Sequence, residues 1–120
     1  YVPQQSPSAA NARPRRARGC PDSNPSWFGF LITCREGVDR NHVVQYVESR
    51  GVQTRMLFAG NLTKHPCFDQ MRQENQGFRI VGDLSNTDRI MKDTFWIGVY
   101  PGMTEKMIDY MIRTIKEAVK

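Results

Sequence analysis

The sequence is poor in the residues that build metal centres and redox frameworks. Its three cysteines, Cys20, Cys34 and Cys67, are scattered, with no Cys-x-x-Cys pair, and its two histidines, His42 and His65, share no ligand spacing. Neither a metal site nor a disulfide scaffold is therefore expected, and a reducing, cytoplasmic compartment is. Cys67 with His65 two residues earlier does not make a nucleophilic dyad pattern. There is no Gly-x-Gly-x-x-Gly stretch and no Walker-type loop to hold phosphate. No apolar run approaches the roughly 18 residues of a membrane-spanning helix. No apolar leader follows Tyr1, so the chain reads as part of a longer protein or as one whose upstream region was removed.

What is present fits one folded domain. The 120 residues are 39% hydrophobic and 24% charged, which argues against wholesale disorder. The formal net charge is +5, but Arg13, Arg15, Arg16 and Arg18 supply four of those positives, leaving +1 for the rest. The basic balance comes from one short arm and not from a domain face, so nucleic-acid binding is not the expectation. The arm reads as a solvated linker, or alternatively as a basic tail of a binding module that contacts RNA or an acidic partner.

Residues 1–25 hold five of the seven prolines and, as large nonpolar side chains, only Tyr1 and Val2. Such a stretch cannot bury enough apolar surface to offset its ordering entropy, and is expected to be a disordered linker. A domain is expected over 26–120. Trp27 to Cys34 reads as a first strand. Asp39 is a good helix cap, Val43, Val44 and Val47 share one helical face, and Gly51 supplies the stop. Val52 to Phe58 reads as a second strand, with Val52, Thr54, Met56 and Phe58 on one side and Gln53, Arg55 and Leu57 on the other. A loop follows at 59–62, and Pro66 opens a short helical turn. Phe78 to Val81 reads as a brief extended piece.

Asn86, Thr87 and Asp88 are expected to cap a helix running to about Asp93. Phe95 to Tyr100 reads as a central strand covered on both faces. Thr104 caps a last helix with Met107, Ile108, Met111, Ile112, Ile115 and Val119 along one stripe. The order implies an α+β layer: a small sheet of about three strands with helices packed on one face.

One stretch, Thr54 to Leu62, stands apart for chemistry. It places the Arg55 guanidinium in a strand and the Asn61 amide in the glycine-containing loop beyond. Arg55 offers a planar fork of donors suited to a carboxylate or phosphate. Asn61 can donate to a sugar hydroxyl or a carbonyl. The same two residues also read as an exposed strand arginine and a turn-forming asparagine. In the aromatic strand, adjacent rings point to opposite faces with no Lys or Arg between them. Core packing is therefore expected there rather than base stacking. Met103, Met107 and Met111 read likewise as core.

Four segments, in order, carry a family resemblance: Ser26-Trp27-Phe28-Gly29-Phe30, the Thr54–Leu62 stretch, Val81 to Met91 with Gly82-Asp83-Leu84-Ser85-Asn86-Thr87-Asp88-Arg89, and Thr94 to Thr104 with Phe95-Trp96-Ile97-Gly98-Val99-Tyr100-Pro101-Gly102. Together, over about residues 25–119, they resemble the C-terminal small domain of nucleotide-sugar 3-dehydratases within the DegT/DnrJ/EryC1/StrS aminotransferase-like family. The branch acting on CDP-4-keto-6-deoxyglucose in lipopolysaccharide-sugar synthesis is the most similar.

The resemblance implies a vitamin-B6 enzyme of fold type I, using pyridoxal or pyridoxamine phosphate (PLP or PMP), with a two-iron two-sulfur cluster in the CDP-sugar branch. It implies that the cofactor, catalytic base and cluster ligands lie in an upstream large domain, with a homodimer mate. No catalytic, cofactor-binding or metal-binding residue is then expected in these 120 residues, which alone should be inactive. Arg55 and Asn61 become the expected substrate-binding residues on one wall of a nucleotide-sugar cleft. Two features depart from the family pattern: the arginine-rich 13–18 segment, and His65 where glutamine is more usual.

Overall fold

A computed structural model describes residues 21–120. The expected linker falls mostly on residues 1–20, outside the described residues, together with Cys20 and the arginine arm.

Three strands form one antiparallel sheet: β1 (Gly29–Thr33), β2 (Thr54–Met56) and β3 (Thr94–Gly98). The spatial order is β1-β3-β2, so the last strand in sequence lies in the centre. β3 is a run of aromatic and β-branched residues, the composition that suits a strand paired on both edges. Its register sets the faces of the whole sheet. Phe95 pairs with Ile32 and Met56, and Ile97 with Phe30 and Thr54. Directly opposed residues share a face, so these side chains all point to the side that the helices cover.

Helix α1 (Arg40–Ser49) starts where the Asp39 carboxylate accepts from the Asn41 N–H at 2.8 Å. It buries Val43, Val44 and Val47, the expected face. Gly51, at φ +77, follows its end, a left-handed conformation that glycine adopts without a Cβ penalty. The last helix, α4 (Glu105–Ala118), is capped by the Thr104 hydroxyl accepting from the Met107 N–H. Phe95 and Val47 are wholly buried, joined in the core by Cys34, Val52, Ile97 and Ala118. Burial in apolar surroundings, the largest influence on the Cys34 thiol, raises its pKa.

The buried threonine hydroxyls are satisfied locally. The Thr54 hydroxyl donates to Glu48 at 2.6 Å, Thr114 donates to the Tyr110 carbonyl at 2.9 Å, and Thr33 and Thr94 share a hydrogen bond across β1 and β3.

Several expectations need correction. β2 is three residues long and not seven. Its chain turns sharply at Phe58, which sits at φ +48 with its N–H on the Met56 carbonyl. The left-handed backbone ends the pairing and leaves the Phe58 ring 76% exposed. Residues 78–81 form no strand. Gly77 and Gly82 bracket them at positive φ, and the segment is exposed.

After the short helix α2 (Asp69–Glu74), helix α3 (Ser85–Asp93) begins before Asn86. Leu84 is left-handed, and the Asp83 carboxylate accepts from the Ser85 N–H and hydroxyl, bonds that lower its pKa. On α4 the fully buried positions are Thr114 and Ala118, while Ile108, Ile112 and Val119 are exposed. The polar residue is tolerated inside because its hydroxyl bonds back along its own helix.

The expectation that β3 is covered on both faces also fails. Its second face carries the row Leu31, Trp96 and Arg55, paired across the three strands. Leu31 and Arg55 are exposed and Trp96 is half-buried.

Because Phe95 sits at the centre of a small core, Phe95→Ala should cost about 3–5 kcal/mol. Asp39→Ala, which removes only a cap, should cost about 1 kcal/mol. Urea unfolding followed by circular dichroism should separate the two; equal midpoints would show that the core does not centre on β3.

Candidate functional site

The pleat of β2 decides what Arg55 does. Thr54 and Met56 point to the helices, so Arg55 points away, onto the face of Trp96. One of its guanidinium nitrogens donates to the Thr54 carbonyl at 2.8 Å, which holds the fork close to the strand. Arg55 borders a groove of about 610 Å³ at the end of β3, closed on the far side by the start of α4. Trp96, Tyr100, Met103, Met107 and Tyr110 are among its lining residues, with Lys106 as its other cation. No Asp or Glu lines it. Among the described residues the ion pairs are Lys64–Asp88 and Asp69–Arg72, so neither groove cation is neutralised by a carboxylate.

The aromatic wall is held in place. The Trp96 ring lies so close over Gly29 that a Cβ there would come within 2.8 Å of the ring. Its indole N–H donates to the Met56 carbonyl at 3.2 Å, and Phe28 meets it edge-on with ring centroids 5.3 Å apart. Tyr110 donates its hydroxyl to the Arg50 carbonyl at 2.9 Å. Both polar tips are thus committed to the protein. Of the methionines expected as core, Met103 and Met107 line the groove, Met107 being 41% exposed, while Met111 packs against the core and also borders the groove.

Asn61 is elsewhere. It is 2% exposed and does not line the Arg55 groove. Its carbonyl oxygen accepts from the Thr63 N–H and hydroxyl, and its amide donates to Asp88 at 2.7 Å. Lys64 pairs with the other Asp88 oxygen at 2.8 Å. His65 donates from Nε2 to the Ala59 carbonyl at 2.6 Å, and Arg72 donates to the Thr63 and His65 carbonyls. Gly60, at φ +64, sits against Met91, where a Cβ would collide with the methionine side chain. The expected sugar-contacting amide is therefore spent on fastening the 59–65 loop to α3. The two site residues read from the sequence are not brought together.

A second cleft, of about 560 Å³, is lined by Arg35, Arg89 and Lys92 but also by Glu36, Asp39 and Asp93. Its charges offset one another. Among the described residues no group of three or more His, Cys, Asp or Glu side chains could hold a metal ion. Nor do the described residues form a closed cradle for a cofactor phosphate at this groove, where Arg55 and Lys106 border an open surface. Among the described residues the buried side-chain polar atom left without a partner is Nε of Arg40, whose guanidinium also donates to the Thr94 carbonyl. These residues do not form a vitamin-B6 site by themselves. Sequence reasoning missed Trp96 and Lys106 as groove residues. Lys106 carried a signal, being a cation in the first turn of α4, where the helix dipole disfavours it.

The loop anchor has a pH signature. Hydrogen bonds from Lys64 and Asn61 lower the Asp88 pKa from its ordinary value of 3.8. A carboxylate favoured in the folded state adds stability above the unfolded value, and that stability is lost as pH falls through the lower folded value. Acid unfolding should therefore show a steeper decline below about pH 4 for the natural chain than for Asp88→Asn. Superimposable curves would remove Asp88 from the anchor.

Comparison with known proteins places this architecture. Residues 8–116 match the DegT/DnrJ/EryC1/StrS aminotransferase family. The chain is 48% identical over 101 residues to dTDP-4-dehydro-2,6-dideoxy-D-glucose 3-dehydratase of Saccharopolyspora spinosa, covering 82% of this chain and 21% of that protein. It is 47% identical over 97 residues to the lipopolysaccharide biosynthesis protein RfbH of Salmonella typhimurium, covering 79% of this chain and 21% of that protein. The chain thus spans about a fifth of the length of these curated relatives. A crystal structure of GDP-4-keto-6-deoxymannose-3-dehydratase with bound GDP-perosamine shares the fold, with a TM-score of 0.62 at 21% identity, over 72% of this chain and 22% of that one. The sheet with helices on one face is thus the small α+β unit of such enzymes, and the chain belongs to the DegT/DnrJ/EryC1/StrS aminotransferase family.

Proposed function

We propose that residues 26–120 are the C-terminal small domain of a PLP- or PMP-dependent nucleotide-sugar 3-dehydratase of deoxysugar and lipopolysaccharide biosynthesis, working in the cytoplasm. The observation that carries the reading is the 48% identity over 101 residues to a sugar 3-dehydratase. Residues 1–25 act as the linker to an upstream large domain, and a homodimer mate completes the assembly. The cofactor, when bound by that upstream region, supplies the electron sink for loss of the sugar 3-hydroxyl.

This chain's own contribution is one wall of the cleft. Arg55 meets an anionic or carbonyl group of the substrate. The Asn61–Asp88–Lys64 anchor keeps the loop after β2 in a single shape, so Asn61 serves the cleft by positioning its backbone. Nothing in the named relatives or in these residues supports a two-iron two-sulfur cluster or a CDP substrate in particular, and neither is part of the proposal.

Two measurements test the reading. Mixed with pyridoxamine phosphate, the 120-residue chain should give no stoichiometric shift of the cofactor absorption band; a tight shift would overturn its expected inactivity. Joined to the upstream part of the Saccharopolyspora enzyme in place of the matching segment, residues 26–120 should support turnover of that enzyme's sugar nucleotide. In this chimera Arg55→Ala should raise KM by about tenfold or more, the scale of a lost hydrogen bond to a charged group. A folded chimera that binds cofactor and does not turn over would refute the assignment.

A further inference from the structure

The Arg55 groove combines three features. It is apolar and aromatic, it is bordered by two cations and no carboxylate, and one of those cations stands where its own helix opposes it. A volume of about 610 Å³ is that of a small-ligand site. Because Trp96 and Tyr110 have committed their polar atoms to the backbone, they offer ring faces and edges and little hydrogen bonding. Trp96 is wedged against Gly29 and Phe28, so little side-chain entropy remains to be lost when a ring packs on it.

The geometry points to a binding site for an amphipathic anion, a flat ring carrying a phosphate or carboxylate, with the ring against Trp96 and Tyr100 and the anion between Arg55 and Lys106. The inference rests on the reading of Arg55 as an anion-facing residue of the cleft wall and extends it: Lys106 is the second anion contact and Trp96 the surface that selects a ring. Charge complementarity favours such an anion over a neutral sugar. The anion would also relieve Lys106 of its unfavourable place in the first turn of α4. The second cleft lacks this property because its acidic and basic side chains balance.

The test titrates the 120-residue chain with CMP, with benzoate and with inorganic phosphate, following tryptophan fluorescence. CMP or benzoate should quench saturably with a dissociation constant below about 1 mM, and the arm that saturates at lower concentration identifies phosphate or carboxylate as the preferred anion. Inorganic phosphate, lacking the ring, should not saturate in this range. Lys106→Ala, at an exposed helical position that tolerates alanine, should weaken the ring-bearing anion about fivefold. Trp96→Leu, titrated by calorimetry because the substitution removes the reporting indole, should abolish selection of the ring over inorganic phosphate.

Absence of saturable binding by both ring-bearing anions overturns the inference, as does an unchanged affinity in a folded Lys106→Ala chain. The sugar-nucleotide chimera reports separately. Turnover by the chimera with no anion binding by the chain sinks this inference alone. Anion binding without turnover sinks the enzymatic reading and leaves the site standing.

Discussion

The molecule depends on the double pairing of β3. This strand is the last to appear in the sequence, yet it lies between the other two and bonds to both. Without it β1 and β2 would have no partner, since neither pairs with the other. Its pleat then sorts the side chains. Phe95 and Ile97 go to the helices and form the core, while Trp96 goes to the other face and meets Arg55. Core and groove are thus the two sides of one five-residue strand, and the same register serves both.

Much of the fold was legible because it follows from periodicity. Val43, Val44 and Val47 repeat at helical spacing behind an aspartate cap, and the structure buries those three. The aromatic run at Phe95 announced a central strand. What failed was length and boundary. Nothing in the alternation of Val52 to Phe58 shows that Phe58 turns left-handed, because that conformation is imposed by the loop that follows. That loop is held by contacts distant in sequence: Asn61 to Asp88, and Gly60 against Met91. Local patterns carry no information about partners some thirty residues away. Asn61 was singled out for the right reason, a polar residue in an unusual loop, but the fold uses its amide internally.

The α4 stripe shows a related limit. Apolar spacing alone would bury Ile108, Ile112 and Val119, yet the buried positions are Thr114 and Ala118. Small side chains allow α4 to lie close to its neighbours, and the Thr114 hydroxyl is satisfied by the Tyr110 carbonyl. The larger residues stay outside, so a description by hydrophobicity misses what a description by size and hydrogen bonding explains. The methionines follow the same logic. Met111 packs against the core and also borders the groove, while Met107, one turn earlier, only lines the groove. A flexible, polarizable side chain suits both places.

Register is where stability and recognition become one requirement. If β2 slipped by a single residue, Arg55 would point into the helices and its neighbours would point outward. A buried guanidinium without a partner is expensive enough to forbid that arrangement. The correct register is also actively pinned: Thr54 buries its hydroxyl on Glu48 of α1, a bond available only when Thr54 faces the helices. Glu48 does not line the groove, yet its hold on the Thr54 side chain determines that Arg55 does. The residues that place a cation beside Trp96 are therefore found on the opposite side of the sheet.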